Sequence, residues 1–320
     1  MKMRFVFGFL ASLGALGMLD CAAAADDVVH VGGVVNDPNV ILPVQAAAKL
    51  GLFDKLGVKV EFNGYSGGST AMEALAAGAA DVAVFIPAGM SMAVARGVKA
   101  KMVAVGILGY PGWDLFVKKD SSAQTVADLA NKKIGITSNG SNTDFLALWA
   151  ADQAKISIVR IPVGGGGLAP NLLSGNIDGV VAYPPVSYSL KDSGNARSVV
   201  DFGTSMTNVI QSTWVASEKA ISENPEGLRK MLSGAFSAVD YMKKNPEWAY
   251  QFIAEQMKVD AKVAKEEYES TILPFTDDGV IDEAALERSL NFLTLAGMSN
   301  MPAAKDLYTS EFVPAKKIEP

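Results

Sequence analysis

Strand and helix signals alternate along most of this chain, and this alternation limits its fold more than any other feature. Short β-branched runs such as VVHVGGVV and VKVEF are each followed by a loop and then by a segment with helical periodicity. The pattern predicts an α/β protein with mainly parallel sheets flanked by helices. Strands are predicted near 28–35, 58–62, 81–85, 102–109, 134–137, 158–163 and 179–183. From Pro225 onward the chain is predicted to be helical, with Asp282 as the N-cap of the last helix.

The stretch YSGGSTAMEAL, residues 65–75, joins one predicted strand to the next helix through small residues. Free backbone N–H groups at a helix N-terminus attract negative charge, and glycine lets a ligand approach the backbone. The stretch could therefore hold an anion or a polar head group. An ordinary turn with Ser69 as the N-cap explains the same residues.

The N-terminus has the pattern of an export signal. Lys2 and Arg4 precede the apolar run 5–19, and small residues follow, which predicts cleavage after Ala25. The sole cysteine, Cys21, lies inside this signal, and Asp20 before it fits a lipoprotein signal poorly. We therefore expect a periplasmic protein released by simple cleavage, with lipid anchoring at Cys21 as the less favoured alternative.

The charge and the residue types of the chain argue against several classes of partner. The formal net charge is −6 and no basic stripe is visible, which argues against a nucleic-acid partner. His30 is the only histidine and lies in the first predicted strand, where it lacks the partners of a metal site or a catalytic triad. We predict no cofactor, no metal and no catalytic residue.

Two α/β units follow one another in the chain. The extended segments 114–119 and 208–217 bracket the second unit and are interpreted as two crossovers that form a hinge. The predicted organisation is a signal peptide at 1–25, the first part of lobe 1 at 26–115, lobe 2 at 116–212, and the return of lobe 1 with C-terminal helices at 213–320.

Several blocks of sequence carry a resemblance to a known family. AAAKLGLFDKLGVKVEF, GGSTAMEALAAGAADVAV and ARGVKAKMVAV in the first unit, and VADLANKKIGIT, LLSGNIDGVVAYPP and WVASEKAISENPEGLRKML later on, resemble substrate-binding proteins of ABC importers. The branch is the one for nitrate, taurine, aliphatic sulfonates and thiamine-pyrimidine precursors. The resemblance implies a two-lobed type II periplasmic-binding fold, a monomer that closes over one small molecule and then docks on a membrane permease.

Two other functions stay open beside transport. The same branch resembles a pyrimidine synthase that acts on its own histidine and carries a cysteine-rich motif, which residues 26–320 lack. A sensor that delivers its signal to a membrane receptor would use the same lobe closure as a transport protein.

Ligand contacts are expected in the loops that follow the strands, because ligands of open α/β sheets bind at the carboxyl ends of strands. The candidates are Asn36, Asp37, Asn39, Tyr65, Gly68, Ser69, Thr70, Phe85, Pro87, Ala88, Trp113, Asp114, Ser138, Asn139, Ser141, Asn142, Thr143 and Tyr183. Tyr110 lies near the first crossover, and the tetraglycine 164–167 is either a weaker candidate or a mobile turn.

These candidate loops carry no lysine or arginine, although a bidentate arginine is the usual partner of a carboxylate or phosphate. Asp37, Asp114 and Asp144 lie in or beside them instead. The loops therefore favour a zwitterion, a sulfonate-like solute or a heteroaromatic amine over a multiply charged anion. The aromatic candidates could stack on a ring or pack in the core, and Asp114 could contact ligand or form a hinge salt bridge.

Overall fold

The computed structural model describes Met1, residues 28–35 and residues 37–320. The predicted signal peptide, apart from Met1, and the predicted ligand contact Asn36 lie outside the described residues. The strands are β1 Val28–Val34, β2 Lys59–Tyr65, β3 Val82–Phe85, β4 Ala100–Leu108, β5 Asp114–Lys118, β6 Lys133–Ile136, β7 Val159–Pro162, β8 Gly179–Ala182, β9 Ala196–Asp201 and β10 Ile210–Ser217. The α-helices are α1 Pro38–Lys49, α2 Leu52–Leu56, α3 Gly68–Ala76, α4 Pro87–Ala95, α5 Asn142–Gln153, α6 Leu168–Ser174, α7 Val186–Asp192, α8 Phe202–Ser205, α9 Glu218–Glu223, α10 Pro225–Lys244, α11 Pro246–Met257, α12 Ala261–Glu267 and α13 Glu283–Leu295.

The strands form two five-stranded sheets, one in each lobe, with the orders β2-β1-β3-β10-β4 and β7-β6-β8-β5-β9. In the first sheet β10 pairs antiparallel with both β3 and β4, and in the second β5 pairs antiparallel with both β8 and β9. The remaining pairs are parallel. The two-lobed α/β fold predicted from the alternation of strands and helices is confirmed, with one reversed strand in each sheet.

The chain passes from the first sheet to the second between Leu108 and Asp114, and returns between Asp201 and Ile210. The segments 114–119 and 208–217 were predicted to be the crossovers. That assignment is wrong for most of their length, because they contain β5 and β10, which are inner strands of the two sheets. The domain boundaries assigned from the sequence stay a prediction.

The C-terminal helices cover the first lobe and reach the second. Helix α10 packs on α1 and α2, whereas α13 packs against α4 of the first lobe and α5 of the second. The Asp282 carboxylate accepts a hydrogen bond from Ala284 N at 3.0 Å, so the predicted N-cap of α13 is confirmed. None of the described helices is long and apolar enough to cross a membrane.

Candidate functional site

A small cavity lies where the two lobes meet, at the ends of strands from both sheets. It offers about 30 Å³ to the centre of a water-sized sphere. The described residues that line it are Val34, Asp37, Asn39, Gly68, Val84, Phe85, Trp113, Thr137, Ser141, Asn142, Thr143, Tyr183 and Ser212.

The start of α1 supplies hydrogen-bond acceptors to the first-lobe wall. Asp37 caps this helix, with its Oδ1 accepting from Asn39 N at 3.0 Å, and Pro38 occupies the first turn, where its missing N–H costs nothing. Burial raises the pKa of Asp37 to about 6, and this effect outweighs the hydrogen bond from Asn39, which lowers it. Asn39 is only 3% exposed and its Oδ1 has no partner among the described residues. Two side-chain acceptors therefore stand on one wall.

The start of α5 supplies hydroxyl groups to the second-lobe wall. Thr137 Oγ1 lies 2.9 Å from Ser141 Oγ and 3.0 Å from Thr143 Oγ1, and the last two oxygens are 2.8 Å apart. Ser141 is also the N-cap of the helix. A hydroxyl can rotate to donate, and the helix dipole is positive at this end. This wall can therefore donate hydrogen bonds to an oxyanion.

Asn142 connects this second-lobe wall to the outgoing crossing and to strand β10 of the first lobe. Its Oδ1 accepts from the Tyr110 hydroxyl at 2.7 Å, and its Nδ2 donates to Gln211 O at 3.0 Å. The first partner belongs to the outgoing crossing and the second to β10, just after the return. The side chain that begins α5 is thus held by the outgoing crossing and by the first lobe.

Aromatic rings close one side of the cavity. The rings of Trp113 and Tyr183 stack with their centroids 5.0 Å apart and an interplanar angle of 30°, and Tyr110 meets Trp113 edge-on at 5.4 Å. Burial, with a smaller contribution from the Asp37 charge, raises the pKa of Tyr183. Tyr183 therefore stays neutral and can donate or accept a hydrogen bond.

The lobes touch directly around the cavity, so the structure is a closed form. Ser69 Oγ donates to Asn139 O at 2.5 Å, and Gly165 N of the tetraglycine donates to Ser66 O at 3.1 Å. A β-carbon on Gly67 would lie 2.7 Å from Ser138 Oγ, which shows how closely the first-lobe turn approaches the second lobe.

Two of the three acids that the sequence places near the cleft form salt bridges. Lys191 Nζ lies 2.7 Å from Asp114 Oδ2, and Arg160 Nη1 lies 2.7 Å from Asp144 Oδ1. Asp114 is 1% exposed and does not line the cavity. Asp114 forms its salt bridge inside the second lobe, with Lys191 of α7, rather than across the hinge, and its contact with ligand stays a prediction. Of the three acids, Asp37 alone faces the cavity.

The remaining predicted contacts divide by position. Ser69 and Asn139 line a neighbouring groove, together with Phe85, which lines both spaces. Tyr65, Thr70, Pro87, Ala88 and Ser138 line neither of them. Thr70 Oγ1 instead bonds Gly67 at the start of α3, donating to its carbonyl at 2.7 Å and accepting from its N–H at 3.1 Å. It serves the helix start rather than the cavity.

Sequence reasoning missed four residues of the cavity wall: Val34, Val84, Thr137 and Ser212. Val34 and Val84 lie at or near the carboxyl ends of β1 and β3, and Thr137 directly follows β6. The rule that ligands bind at strand ends would have found these three if it had included the last two residues of each predicted strand. Ser212 lies inside β10 and carried no such signal.

Within the described part of the chain, no group of three histidine, cysteine, aspartate or glutamate side chains could hold a metal ion. The ring nitrogen Nδ1 of His30 lies 3.4 Å from Glu61 Oε2, with both side chains partly exposed, and His30 does not line the cavity. The histidine expected by the pyrimidine-synthase alternative is therefore not placed at this site.

Comparison with known proteins agrees with this two-lobed arrangement. The model of the family described as NMT1/THI5 like matches residues 38–249. The chain belongs to the NMT1/THI5-like family. A candidate binding protein of Brucella abortus (strain 2308) is 26% identical over 321 residues, covering 96% of this chain and 98% of the relative.

Two other known proteins also resemble this chain. The alkanesulfonate-binding protein SsuA from Xanthomonas axonopodis pv. citri, solved bound to MOPS, superposes with a TM-score of 0.74 at 17% identity, covering 93% of this chain and all 100% of SsuA. A 2'-hydroxybiphenyl-2-sulfinate desulfinase of Rhodococcus erythropolis is 22% identical over 262 residues, covering 64% of this chain and 70% of the enzyme. At this identity the likeness to SsuA establishes a shared fold.

Proposed function

We propose that this protein is the extracytoplasmic solute-binding component of an ABC importer. It traps one small solute between its lobes in the periplasm, and the closed form is recognised by a membrane permease. The solute is a zwitterion, a sulfonate-like molecule or a heteroaromatic amine. Binding involves no chemical change.

This proposal rests on the chemical difference between the two cavity walls, one of which offers hydrogen-bond acceptors and the other donors. The first-lobe wall presents the Asp37 carboxylate and the unpartnered Asn39 oxygen, which suit an ammonium or amine donor. The second-lobe wall presents hydroxyls at the N-terminus of α5, which suit an oxyanion. A solute with a cationic group and an anionic group can satisfy both walls only when the lobes are closed, so its binding energy drives closure.

The absence of cations limits the charge of the solute. No lysine or arginine is among the described residues that line the cavity. A helix N-terminus stabilises an anion by only about 0.3–1 kcal/mol when exposed and about 2 kcal/mol when partly buried. A phosphate or a dicarboxylate would leave charge uncompensated, whereas one sulfonate balanced by one amine would not.

The relatives support the same class of solute. MOPS, found in the SsuA structure, combines a sulfonate with a tertiary amine. The name of the Rhodococcus enzyme also refers to an organosulfur anion, a sulfinate. Sulfur oxyanions thus recur among proteins of this fold, and the Asp37 wall is the feature that favours an amine in addition.

A thermal-shift screen of residues 26–320 tests the proposal. The panel contains taurine, ethanesulfonate, nitrate and 4-amino-5-hydroxymethyl-2-methylpyrimidine. A ligand that binds only the folded protein stabilises it by about 2.7 kcal/mol at one hundred times Kd, so a true solute raises the melting temperature. We expect taurine or the pyrimidine to produce the largest shift.

Substitution of two aspartates tests whether the amine of the solute binds at Asp37. Asp37→Asn is expected to abolish most of the shift, whereas Asp54→Asn, on the exposed face of α2, leaves it unchanged. In the parent protein the shift is larger at pH 7.5 than at pH 5, because the carboxyl of Asp37, with its pKa raised to about 6, is largely neutral at pH 5. Equal shifts for nitrate and taurine, both insensitive to Asp37→Asn, would refute the two-wall interpretation.

The desulfinase relative makes cleavage of an aryl sulfinate the competing activity. Incubating the protein with 2'-hydroxybiphenyl-2-sulfinate and measuring released sulfite distinguishes this cleavage from solute binding. We expect no sulfite above the rate without protein. Turnover would assign the protein to the enzymes of this fold and overturn the transport proposal.

A further inference from the structure

The ring of Phe85 occupies the gap between the starts of two helices. Phe85 is the last residue of β3 and is 7% exposed. A β-carbon on Gly68, the first residue of α3, would lie 2.4 Å from Phe85 Cε2, and one on Gly89, in the first turn of α4, would lie 2.5 Å from Cε1. Neither glycine has the positive φ that would itself require glycine. The ring therefore accounts for Gly68, and the ring together with the Gly140 carbonyl oxygen, 2.6 Å from a β-carbon on Gly89, accounts for Gly89.

A second space lies on the other side of this ring. It offers about 250 Å³ by the same measure as the cavity, which offers about 30 Å³. Phe85 is the residue that lines both, and the others around the second space, called the α3–α4 groove here, are Ser69, Met72, Glu73, Ala76, Gly89, Met92, Ala93, Arg96, Val98, Asn139 and Gly140.

The α3–α4 groove is suited to an apolar chain. Met72 and Met92 contribute flexible thioether side chains that adapt to irregular shapes, and Ala76 and Ala93 leave room between the helices. Its floor is continued by the second lobe, since a β-carbon on Gly140 would lie 3.8 Å from Met92 Cε. The groove thus lies across the lobe boundary, as the cavity does.

We propose that Phe85 is a partition that sets the maximum length of the solute. This inference rests on the proposed function. With the ring in place, the head group of a solute fills the cavity and a longer chain has nowhere to go. Without the ring, the cavity and the α3–α4 groove form one space, and the same head group can carry an apolar chain into the groove.

A series of N-alkyltaurines, in which the amine and the sulfonate stay two carbons apart while an N-alkyl chain of one to six carbons projects from the amine, measures the length limit by isothermal titration calorimetry. For the parent protein, affinity is expected to fall at least tenfold beyond three carbons. For Phe85→Ala, affinity is expected to rise with length, by about fourfold for each methylene that becomes buried. Met92→Ala, which alters only the groove, is the matched control and leaves the profile of the parent unchanged.

Since removal of a buried ring can destabilise the fold, Phe85→Leu is measured beside Phe85→Ala. The smaller side chain shifts the limit by one or two carbons if the ring is a partition. Identical length profiles for the parent, Phe85→Leu and Phe85→Ala would overturn the inference while leaving the proposed function intact.

A crystal structure of Phe85→Ala decides the inference independently of the solute. We expect a continuous space from Asp37 to Met92. Collapse of α3 and α4 into the vacated volume, with two spaces still separate, would overturn the partition. If the parent protein binds no member of the series and no member of the panel, the proposed function fails, and the structure of the variant still decides whether Phe85 divides the space.

Discussion

Replacing Gly67 by alanine is expected to oppose lobe closure without disturbing either lobe. Gly67 has φ −164° and ψ 164°, an extended conformation that alanine adopts freely. The added β-carbon would meet Ser138 Oγ at 2.7 Å and Ser138 Cβ at 2.9 Å, and its third neighbour, Thr137 C at 3.6 Å, also belongs to the second lobe. The collision therefore exists only when the lobes are together.

The size of the effect follows from these distances. Ordinary van der Waals contact begins near 3.4 Å, so the two lobes must separate by about 0.5 to 0.7 Å at this point. The same displacement would stretch the adjacent hydrogen bond from Ser69 Oγ to Asn139 O, now 2.5 Å. Overpacking of this kind costs about 1–3 kcal/mol, which corresponds to a loss of about 5- to 150-fold in affinity for a solute that requires closure.

Calorimetric titration with the strongest ligand of the thermal-shift panel measures this loss. The melting temperature of the unliganded protein should not change, because the open lobes do not collide. Ser138→Gly removes both colliding atoms, so the double variant should recover most of the affinity. Gly166→Ala is the control, since no atom lies within 4 Å of the added β-carbon. Parent-like affinity for Gly67→Ala, or no recovery in the double variant, would refute the reasoning.

Three further outcomes are expected. Gly165→Ala places a β-carbon 2.8 Å from the Tyr183 hydroxyl and should weaken ligand binding at least fivefold by titration, unlike its neighbour Gly166→Ala. Glu267 is fully buried, and burial raises the pKa of its carboxyl to about 8. The folded parent protein should therefore lose stability, by about 1.4 kcal/mol per unit of pKa shift, as the pH rises from about 4.5 to 8. In urea unfolding, the stability of Glu267→Gln should depend less on pH. Ser141→Ala removes the N-cap of α5 and should lower the free energy of unfolding by about 1 kcal/mol in the same assay.

The sequence predicted those parts of the fold that depend on local pattern. Buried runs such as VVHVGGV and VAVF became strands, and Asp282 became the cap of α13, because hydrophobic periodicity and capping chemistry act over a few residues. Strand β9, ARSVVD, was not predicted because it is partly exposed and begins with small and charged residues. Its place is fixed by pairing with β5, about 80 residues earlier in the chain.

The candidate site shows the same division. The loops after β3 and β6 could be proposed from topology, since strand ends meet at one edge of a sheet. The ion pair of Asp114 with Lys191 joins residues far apart in the chain, and no local pattern specifies it. The sequence alone therefore left open whether Asp114 contacts ligand or forms a salt bridge. That Phe85 lines both the cavity and the groove likewise depends on how α3 and α4 pack, which the local sequence does not specify.

The position of β10 has a consequence for how the chain acquires its structure. This strand lies between β3 and β4, with Ile210 to Ala216 buried, so the first sheet is completed only by residues that come after the whole second sheet. The second sheet is built from the contiguous segment 114–201. Since contacts between distant residues form slowly, the second lobe can fold while the first still lacks a central strand. During synthesis, the lobe that is translated first is the one that is finished last.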